Sequence, residues 1–194
     1  PENGRECFTM AINVKKLLSE ALIELTDEKP LSKITVSDIV KRAGTGRQTF
    51  YNHFRDKNDL VFWIFLQTLK GERKIVQTQG YFAYLLSLYE KAQVNRHFFQ
   101  QACALEGQNS LMEAILTQTY NHYRDCILHW HGAEMLTDQV LYSLWFNAYG
   151  ATYSYIMWAK EGMPGSAEAK ARYALHCMPP CIKQFLPIRP EDLE

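Results

Sequence analysis

Residues 34–60 read ITVSDIVKRAGTGRQTFYNHFRDKNDL, and this stretch decides the fold. Thr35 is a favourable N-cap for a short helix, and Gly44 can end that helix in the left-handed conformation common at helix C-termini. A second short helix fits between Gly46 and Phe54. Helices this short are unstable alone because nucleation is costly, so they must pack against longer neighbours. The pattern predicts a helix-turn-helix, whose second helix is shaped to enter the major groove of DNA.

Longer amphipathic helices are predicted on both sides of this motif. Apolar residues recur every three or four positions from Phe8 to Glu28, and Pro30 ends that pattern. Asp56 can cap a further helix that runs to about Val76. The remaining helices are predicted over residues 81–93, 96–104, 109–131, 138–161 and 166–178. The sequence therefore predicts an all-α protein.

The runs 34–44 and 47–60 together resemble the signature of the TetR family of bacterial transcriptional regulators. The resemblance covers roughly residues 8–65, and it is specific around the two short helices. Gly46 departs from the pattern, because many members have Ser as the cap of the recognition helix. Glycine is tolerated as an N-cap, so this departure weakens a phosphate contact more than it threatens the fold.

The resemblance also implies a division of the chain. An N-terminal helix-turn-helix DNA-binding domain is expected over residues 1–56, and a larger C-terminal helical domain for ligand binding and dimerisation over residues 57–194. Family members of this kind are mostly repressors that a ligand releases from DNA. Residues 47–52 and 63–65 are similar to regulators of dihydroxyacetone kinase operons within the family, so an activator remains an alternative.

Contacts with double-stranded DNA are expected from both short helices. In the first turn of the recognition helix, Arg47 can bond guanine through two acceptors, and Gln48 can pair with adenine. Side chains and backbone donors at helix starts can hold phosphate oxygens. A solvated helix end is the alternative interpretation. The full set that the resemblance implies is Thr35, Ser37, Arg47, Gln48, Thr49, Tyr51, Asn52, His53 and Lys57.

The charge distribution agrees with a DNA-binding N-terminal region. The whole chain has no formal net charge at pH 7, which taken alone argues against a nucleic-acid partner. Residues 1–75 nevertheless carry a net charge of +3 and residues 76–194 a net charge of −3. The asymmetry indicates a basic working surface on a mildly acidic body.

One small domain makes few contacts with DNA, so a homodimer on a pseudo-palindromic operator is expected. The predicted helix over residues 138–161 is apolar on two sides, and it must bury one side in its own domain and the other against a partner. The residues assigned to this dimer interface are Leu141, Trp145, Tyr149 and Tyr173.

Most aromatic residues follow Phe54, and the resemblance implies that this region encloses a pocket for a small-molecule effector of unknown identity. The candidates for its lining are Trp63, Phe99, Tyr123 and Tyr153. Each could equally be packed core, because an aromatic stripe at helical spacing usually is. His97, His122 or His129 could orient a polar ligand, and a surface or core histidine is the alternative interpretation.

Other function classes find little support in the sequence. It contains no glycine-rich phosphate loop, no GxSxG nucleophile elbow and no HExxH motif, so no catalytic residues are assigned and no enzyme is expected. The five cysteines lack metal-site spacing, and no metal or cofactor is expected. Without a signal core or an apolar run long enough for a membrane, the chain is expected in the cytoplasm. A helical protein-interaction adaptor without DNA binding is the alternative from another class.

Overall fold

The computed structural model describes residues 3–105 and 111–193, with side chains from residue 14. Every regular element in these ranges is helical. Three are single 3-10 turns, at Leu31–Lys33, Ala133–Met135 and Pro190–Leu193. The α-helices are α1 Asn3–Glu28, α2 Val36–Arg42, α3 Arg47–Tyr51, α4 Lys57–Thr68, α5 Glu72–Gln79, α6 Tyr81–Val94, α7 Arg96–Ala104, α8 Leu111–His131, α9 Asp138–Lys160, α10 Ala167–Cys177 and α11 Pro180–Lys183.

Helices α1 to α3 and the start of α4 pack around one apolar core. Leu18 and Leu22 of α1 are fully buried, and Ile39 of α2 and Phe50 of α3 reach the same core. The predicted apolar positions before residue 14 lie outside the described side chains. The long helix α1 thus provides the surface on which the two short helices are stable.

The predicted helix from Lys57 to Val76 is wrong. The helix α4 ends at Thr68, and α5 begins only at Glu72. Between them Gly71 has φ of 83°, a left-handed conformation that most side chains disfavour. Residues 70–74 are all charged or glycine, so the apolar pattern on which the prediction rested in fact ends at Leu69.

The recognition helix is also shorter than predicted. The helix α3 ends at Tyr51, and Asn52 is its C-cap. The amides of His53 and Phe54 both bond to the carbonyl of Phe50, which turns the chain inward and buries Phe54. Asn52 and His53 therefore lie in a turn beside the helix.

The C-terminal region is a bundle in which α6 packs between α5 and α10, and α9 packs against α7 and α8. Its core contains Tyr81, Phe98, Phe99, Ile127 and Leu144, all fully buried. The predicted start of a helix at residue 109 lies outside the described residues. None of the described helices is long and apolar enough to cross a membrane.

The helix α9 has one buried and one exposed side. Leu144, Ala148 and Thr152 face the bundle. The other side exposes aromatic residues, with Phe146 71% and Tyr149 54% exposed. We call this side the outer aromatic face; it consists of Tyr142, Trp145, Phe146, Tyr149 and Tyr153. Trp145 is turned outward and stacks on Tyr120 with ring centroids 4.2 Å apart.

Candidate nucleic-acid interface and ligand cavity

The start of α2 is fixed by a reciprocal capping box. The Thr35 hydroxyl accepts a hydrogen bond from the amide of Asp38 at 3.2 Å and donates one to the Asp38 carboxylate at 2.7 Å. Lys29 lies 2.9 Å from the same carboxylate, and these bonds hold the pKa of Asp38 well below its usual range. The hydroxyl proton of Thr35 is therefore already committed within the protein.

The turn between the two short helices is formed by backbone geometry. Gly44 has φ of 64°, and the amide of Thr45 bonds to the carbonyl of Val40 at 2.9 Å. Gly46 is the N-cap of α3 and supplies no side-chain cap. On the inner side, Phe50 and Phe54 are buried with ring centroids 5.8 Å apart. This anchoring turns the opposite side of α3 to the surface.

The exposed side of α3 brings together several of the residues predicted to contact DNA. Arg47, Gln48 and Tyr51 are exposed, and the exposed C-cap Asn52 follows directly. Gln48 Nε2 donates to Asn52 Oδ1 at 3.1 Å, which orients the Gln48 amide. Arg47 Nη1 donates to Ser37 Oγ at 3.4 Å and links α3 to α2. Thr35, the N-cap of α2, is also exposed. Thr49 and His53 are half-buried.

Lys57 has an internal role that the sequence did not indicate. Its Nζ donates to the carbonyls of Leu31 and Ile34 at 2.6 and 2.8 Å. The residue is half-buried, and burial lowers its pKa. Two of the three ammonium donors thus hold the turn before α2 and are not available to a phosphate.

One of the basic residues near the motif is paired within the protein. Arg42 lies 2.6 Å from Glu28 and 3.3 Å from Glu24, and these bonds raise its pKa. Lys41 and Arg47 are exposed. The charge of Arg42 is therefore engaged inside the N-terminal region, whereas Lys41 and Arg47 face solvent.

The structure contains a buried cavity between α4, α6, α8, α9 and α10. The volume of the cavity is about 60 Å³. Most of the wall is aromatic or aliphatic. Its wall includes Phe65, Leu69, His122, Tyr123, Thr152 and Tyr155.

Of the four residues predicted to line a pocket, the structure brings Tyr123 to this cavity. Phe99 is fully buried against Phe98, so it belongs to the packed core. Tyr153 is 57% exposed on the outer aromatic face. Trp63 packs edge-on against Phe54 and borders a separate surface groove. Helical spacing indicated burial for these residues but not which ones surround empty space.

The polar groups of the cavity include His122 with its partners, the hydroxyls of Thr152 and Tyr155, and the half-buried Gln118 and Thr119. His122 Nδ1 lies 2.7 Å from Glu72 Oε1, and His122 Nε2 lies 3.8 Å from Cys126 Sγ. Burial alone would lower the pKa of His122, but its contacts with Cys126 and Glu72 raise it to about 9. Among the described residues, three buried side-chain atoms have no hydrogen-bond partner: Thr152 Oγ1, Tyr155 Oη and the second carboxylate oxygen of Glu72, Oε2.

The residues predicted for the dimer interface lie mostly on the surface. Trp145, Tyr149 and Tyr173 are exposed, and Leu141 is half-buried. Trp145 and Tyr149 lie close together on α9, with ring centroids 5.9 Å apart.

One polar residue that joins the two regions was missed. Gln101 on α7 bonds the backbone of Thr26 and Leu31, residues that lie 75 and 70 positions away in the chain. Nothing in the sequence around Gln101 signals this contact, because it depends on how the regions pack together.

Comparison with known proteins identifies the N-terminal region. Residues 18–63 match the family described as bacterial regulatory proteins, tetR family. Over 55 residues the chain is 38% identical to the HTH-type dhaKLM operon transcriptional activator DhaS of Lactococcus lactis subsp. lactis (strain IL1403), a match that covers 28% of this chain and 29% of that protein. Over 42 residues it is 52% identical to the uncharacterized HTH-type transcriptional regulator YvdT of Bacillus subtilis (strain 168), a match that covers 22% of each. These matches span less than a third of the curated relatives.

The fold of the whole chain has a counterpart among solved structures. The dihydroxyacetone kinase operon activator DhaS superposes with a TM-score of 0.65, over 90% of this chain and 99% of that chain. The sequence identity is 23%, so this similarity concerns the fold. Residues 18–63, which contain the helix-turn-helix, thus match the tetR family of bacterial regulatory proteins, and a larger helical region follows them.

Proposed function

We propose that this protein is a DNA-binding transcription regulator, without enzymatic activity, that works in the bacterial cytoplasm. The observation that carries the proposal is the side of α3 opposite Phe50 and Phe54, which exposes Arg47, Gln48 and Asn52 together. Because α3 has only five residues, it presents one small group of side chains that can bond to base edges. We divide the protein into a DNA-binding domain up to Asp56, the N-cap of α4, and a ligand-binding and dimerisation domain from Lys57 onward.

The active form is a homodimer on a pseudo-palindromic double-stranded operator. A single recognition helix this short makes few base contacts, so two copies are needed for a specific site. The outer aromatic face of α9 is an apolar surface of the kind that a partner covers. Trp145, Tyr149 and the exposed Tyr173 on α10 support a second copy of the chain as that partner.

Control by a small-molecule effector is supported by the position of the buried cavity. The helix α4 begins next to the recognition helix, and Phe65 and Leu69 near its other end border the cavity. A ligand that prefers one position of α4 changes the separation of the two recognition helices and thereby the operator affinity. A repressor released by its ligand is the simplest form. An activator is the alternative, favoured by the whole-length similarity of fold to DhaS.

The test is selection of binding sites from random duplex DNA by the full-length protein. We expect inverted repeats whose half-sites are about one helical turn apart, or a multiple of it. The binding constant for the selected site should fall steeply with salt, by about 0.9 in log K per phosphate neutralised for each tenfold increase in salt. If the protein enriches no sequence and is not retained on duplex DNA, the result contradicts DNA binding and favours the alternative, a helical protein-interaction adaptor. A reporter gene downstream of the selected site then distinguishes repression from activation.

A further inference from the structure

We propose that the buried cavity binds a small uncharged molecule with two hydrogen-bonding groups, such as a three- or four-carbon diol or hydroxy ketone. This inference rests on the proposed function in one respect: the molecule that the cavity binds is taken to be the effector. Its three elements are the two unpaired hydroxyls, the absence of net charge on the described wall, and the volume of the cavity.

The two hydroxyls mark where the ligand is held. Thr152 and Tyr155 are 1% and 4% exposed, and both line the cavity. They are three residues apart on α9, so their side chains lie on the same side of the helix. Buried hydroxyls are normally hydrogen-bonded, and leaving one unpaired costs stability. Two on one wall of one cavity therefore point to a bound molecule that pairs with both.

The remaining polar groups of the wall are already engaged or neutral. Both ring nitrogens of His122 have partners, Glu72 and Cys126, and the pair with Glu72 has no net charge when His122 is protonated. Burial raises the pKa of Tyr89 and of Tyr123 to about 12, so both stay neutral at physiological pH. A charged ligand would lose its hydration without gaining an opposite charge, which is a large cost in a buried site.

The volume limits the ligand to a few atoms. One water needs a cavity of roughly 10–15 Å³. A cavity of about 60 Å³ therefore has room for a few waters or for one small organic molecule. A ligand of this size cannot bind very tightly, and we expect a micromolar or weaker dissociation constant. The aliphatic and aromatic wall, including Phe65 and Leu69, suits the short carbon skeleton.

The test uses the full-length protein and probes of one size but different charge. Propane-1,2-diol and hydroxyacetone are the uncharged probes, lactate is the anionic one and 1-amino-2-propanol the cationic one. Binding is measured by saturation-transfer NMR and by the shift in melting temperature. We expect binding by at least one uncharged probe and none by either charged probe.

Variants then locate the site. Thr152→Val and Tyr155→Phe each remove one hydroxyl and keep the shape of the side chain, and each should weaken binding about tenfold. Neither should lower the melting temperature of the unliganded protein, since the lost hydroxyl had no partner. The matched controls are Thr117→Val and Ser154→Ala, which remove a hydroxyl from exposed residues, and they should bind as the wild type does.

Three results overturn the proposal: neither uncharged probe binds, a charged probe binds as well as they do, or the two cavity variants bind like their controls. In each case the cavity holds ordered water only or a ligand of another class. Retention on duplex DNA is measured on the same preparations. Loss of ligand binding with retained DNA binding contradicts this inference alone, whereas loss of DNA binding contradicts the proposed function.

Discussion

Gln101 on α7 accepts a hydrogen bond from the backbone amide of Leu31, a residue 70 positions earlier in the chain. The other end of the same amide donates to the carbonyl of Thr26 at 2.9 Å. One side chain of the C-terminal region thus holds the end of α1 and the turn that follows it. At the preceding position, Gln100 donates to the carbonyl of Lys160 at the end of α9. The helix α7 therefore connects α9, which borders the cavity, with the N-terminal region.

We predict that Gln101→Ala lowers the free energy of unfolding by about 1–3 kcal/mol, because it leaves two partly buried backbone groups without a partner. Chemical denaturation measures the change. Gln139→Ala is the control at an exposed position of α9 and should change stability by less than about 0.5 kcal/mol. Equal stability of the two variants would show that the Gln101 contacts contribute nothing.

Lys57→Met should lower the free energy of unfolding by about 1–3 kcal/mol, since the carbonyls of Leu31 and Ile34 lose their charged donor. Lys41→Met, at an exposed position, is the control. The salt dependence of DNA binding separates this role from the phosphate contact that the sequence predicts. An internal role leaves the slope of log K against log salt unchanged, whereas a lost phosphate contact reduces it by about 0.9.

Arg47→Ala should weaken binding to the selected operator by about 1–3 kcal/mol and relax the base preference at one position of each half-site. Arg42→Ala is the matched control, because Arg42 is paired with Glu24 and Glu28. Binding to a set of single-base operator variants measures both effects. If Arg47→Ala keeps the preference of the wild type at every position, Arg47 does not read a base.

The double variant Phe146→Asp/Tyr149→Asp should convert the protein from dimer to monomer at micromolar concentration. Central aromatic residues of an interface contribute about 2 kcal/mol or more each, equivalent to about a thirtyfold change in the dissociation constant. Sedimentation velocity measures the state of association. Val94→Asp replaces an apolar residue that is 80% exposed on another helix, and it should remain dimeric. A wild-type protein that sediments as a monomer would contradict the dimer itself.

Stability should fall as the pH rises through the titration of His122. Contacts with Cys126 and Glu72 raise the pKa of His122 from 6.5 to about 9 in the folded protein, although burial alone would lower it. A raised pKa means that the stabilisation is complete below about pH 6.5 and is lost as the pH approaches about 9. Denaturation at several pH values measures this. The glutamine of His122→Gln cannot titrate, so the difference in the free energy of unfolding between wild type and variant should shrink as the pH rises through this window. A difference that stays constant with pH would contradict the charged pair of His122 and Glu72.

The local motif was predictable because its signals are local. Thr35 caps α2, Gly44 adopts φ of 64°, and the buried Phe50 of α3 lies four positions before the buried Phe54 in the turn that follows. Each of these features depends on neighbours within a few positions. The sequence therefore predicted the helix-turn-helix and the exposed position of Arg47.

The contacts that join distant parts of the chain were not predictable. Lys57 meets a turn 26 residues away, and its charge looks like that of any surface lysine in the sequence. Phe99 and Tyr123 both follow helical apolar spacing, yet the first packs in the core and the second borders the cavity. Periodicity predicts that a side chain is buried, but the position of a void depends on the sizes and angles of all the surrounding helices.

The pairing of Arg42 and Lys29 with carboxylates of the same chain bears on how such a regulator searches a genome. Affinity for unrelated DNA grows with the number of phosphates that a protein neutralises. Two cations whose charges are already neutralised within the chain add little to that affinity, whereas the exposed Lys41 and Arg47 still contribute to it. We therefore expect binding to unrelated DNA to be weaker than the number of basic residues in this region suggests.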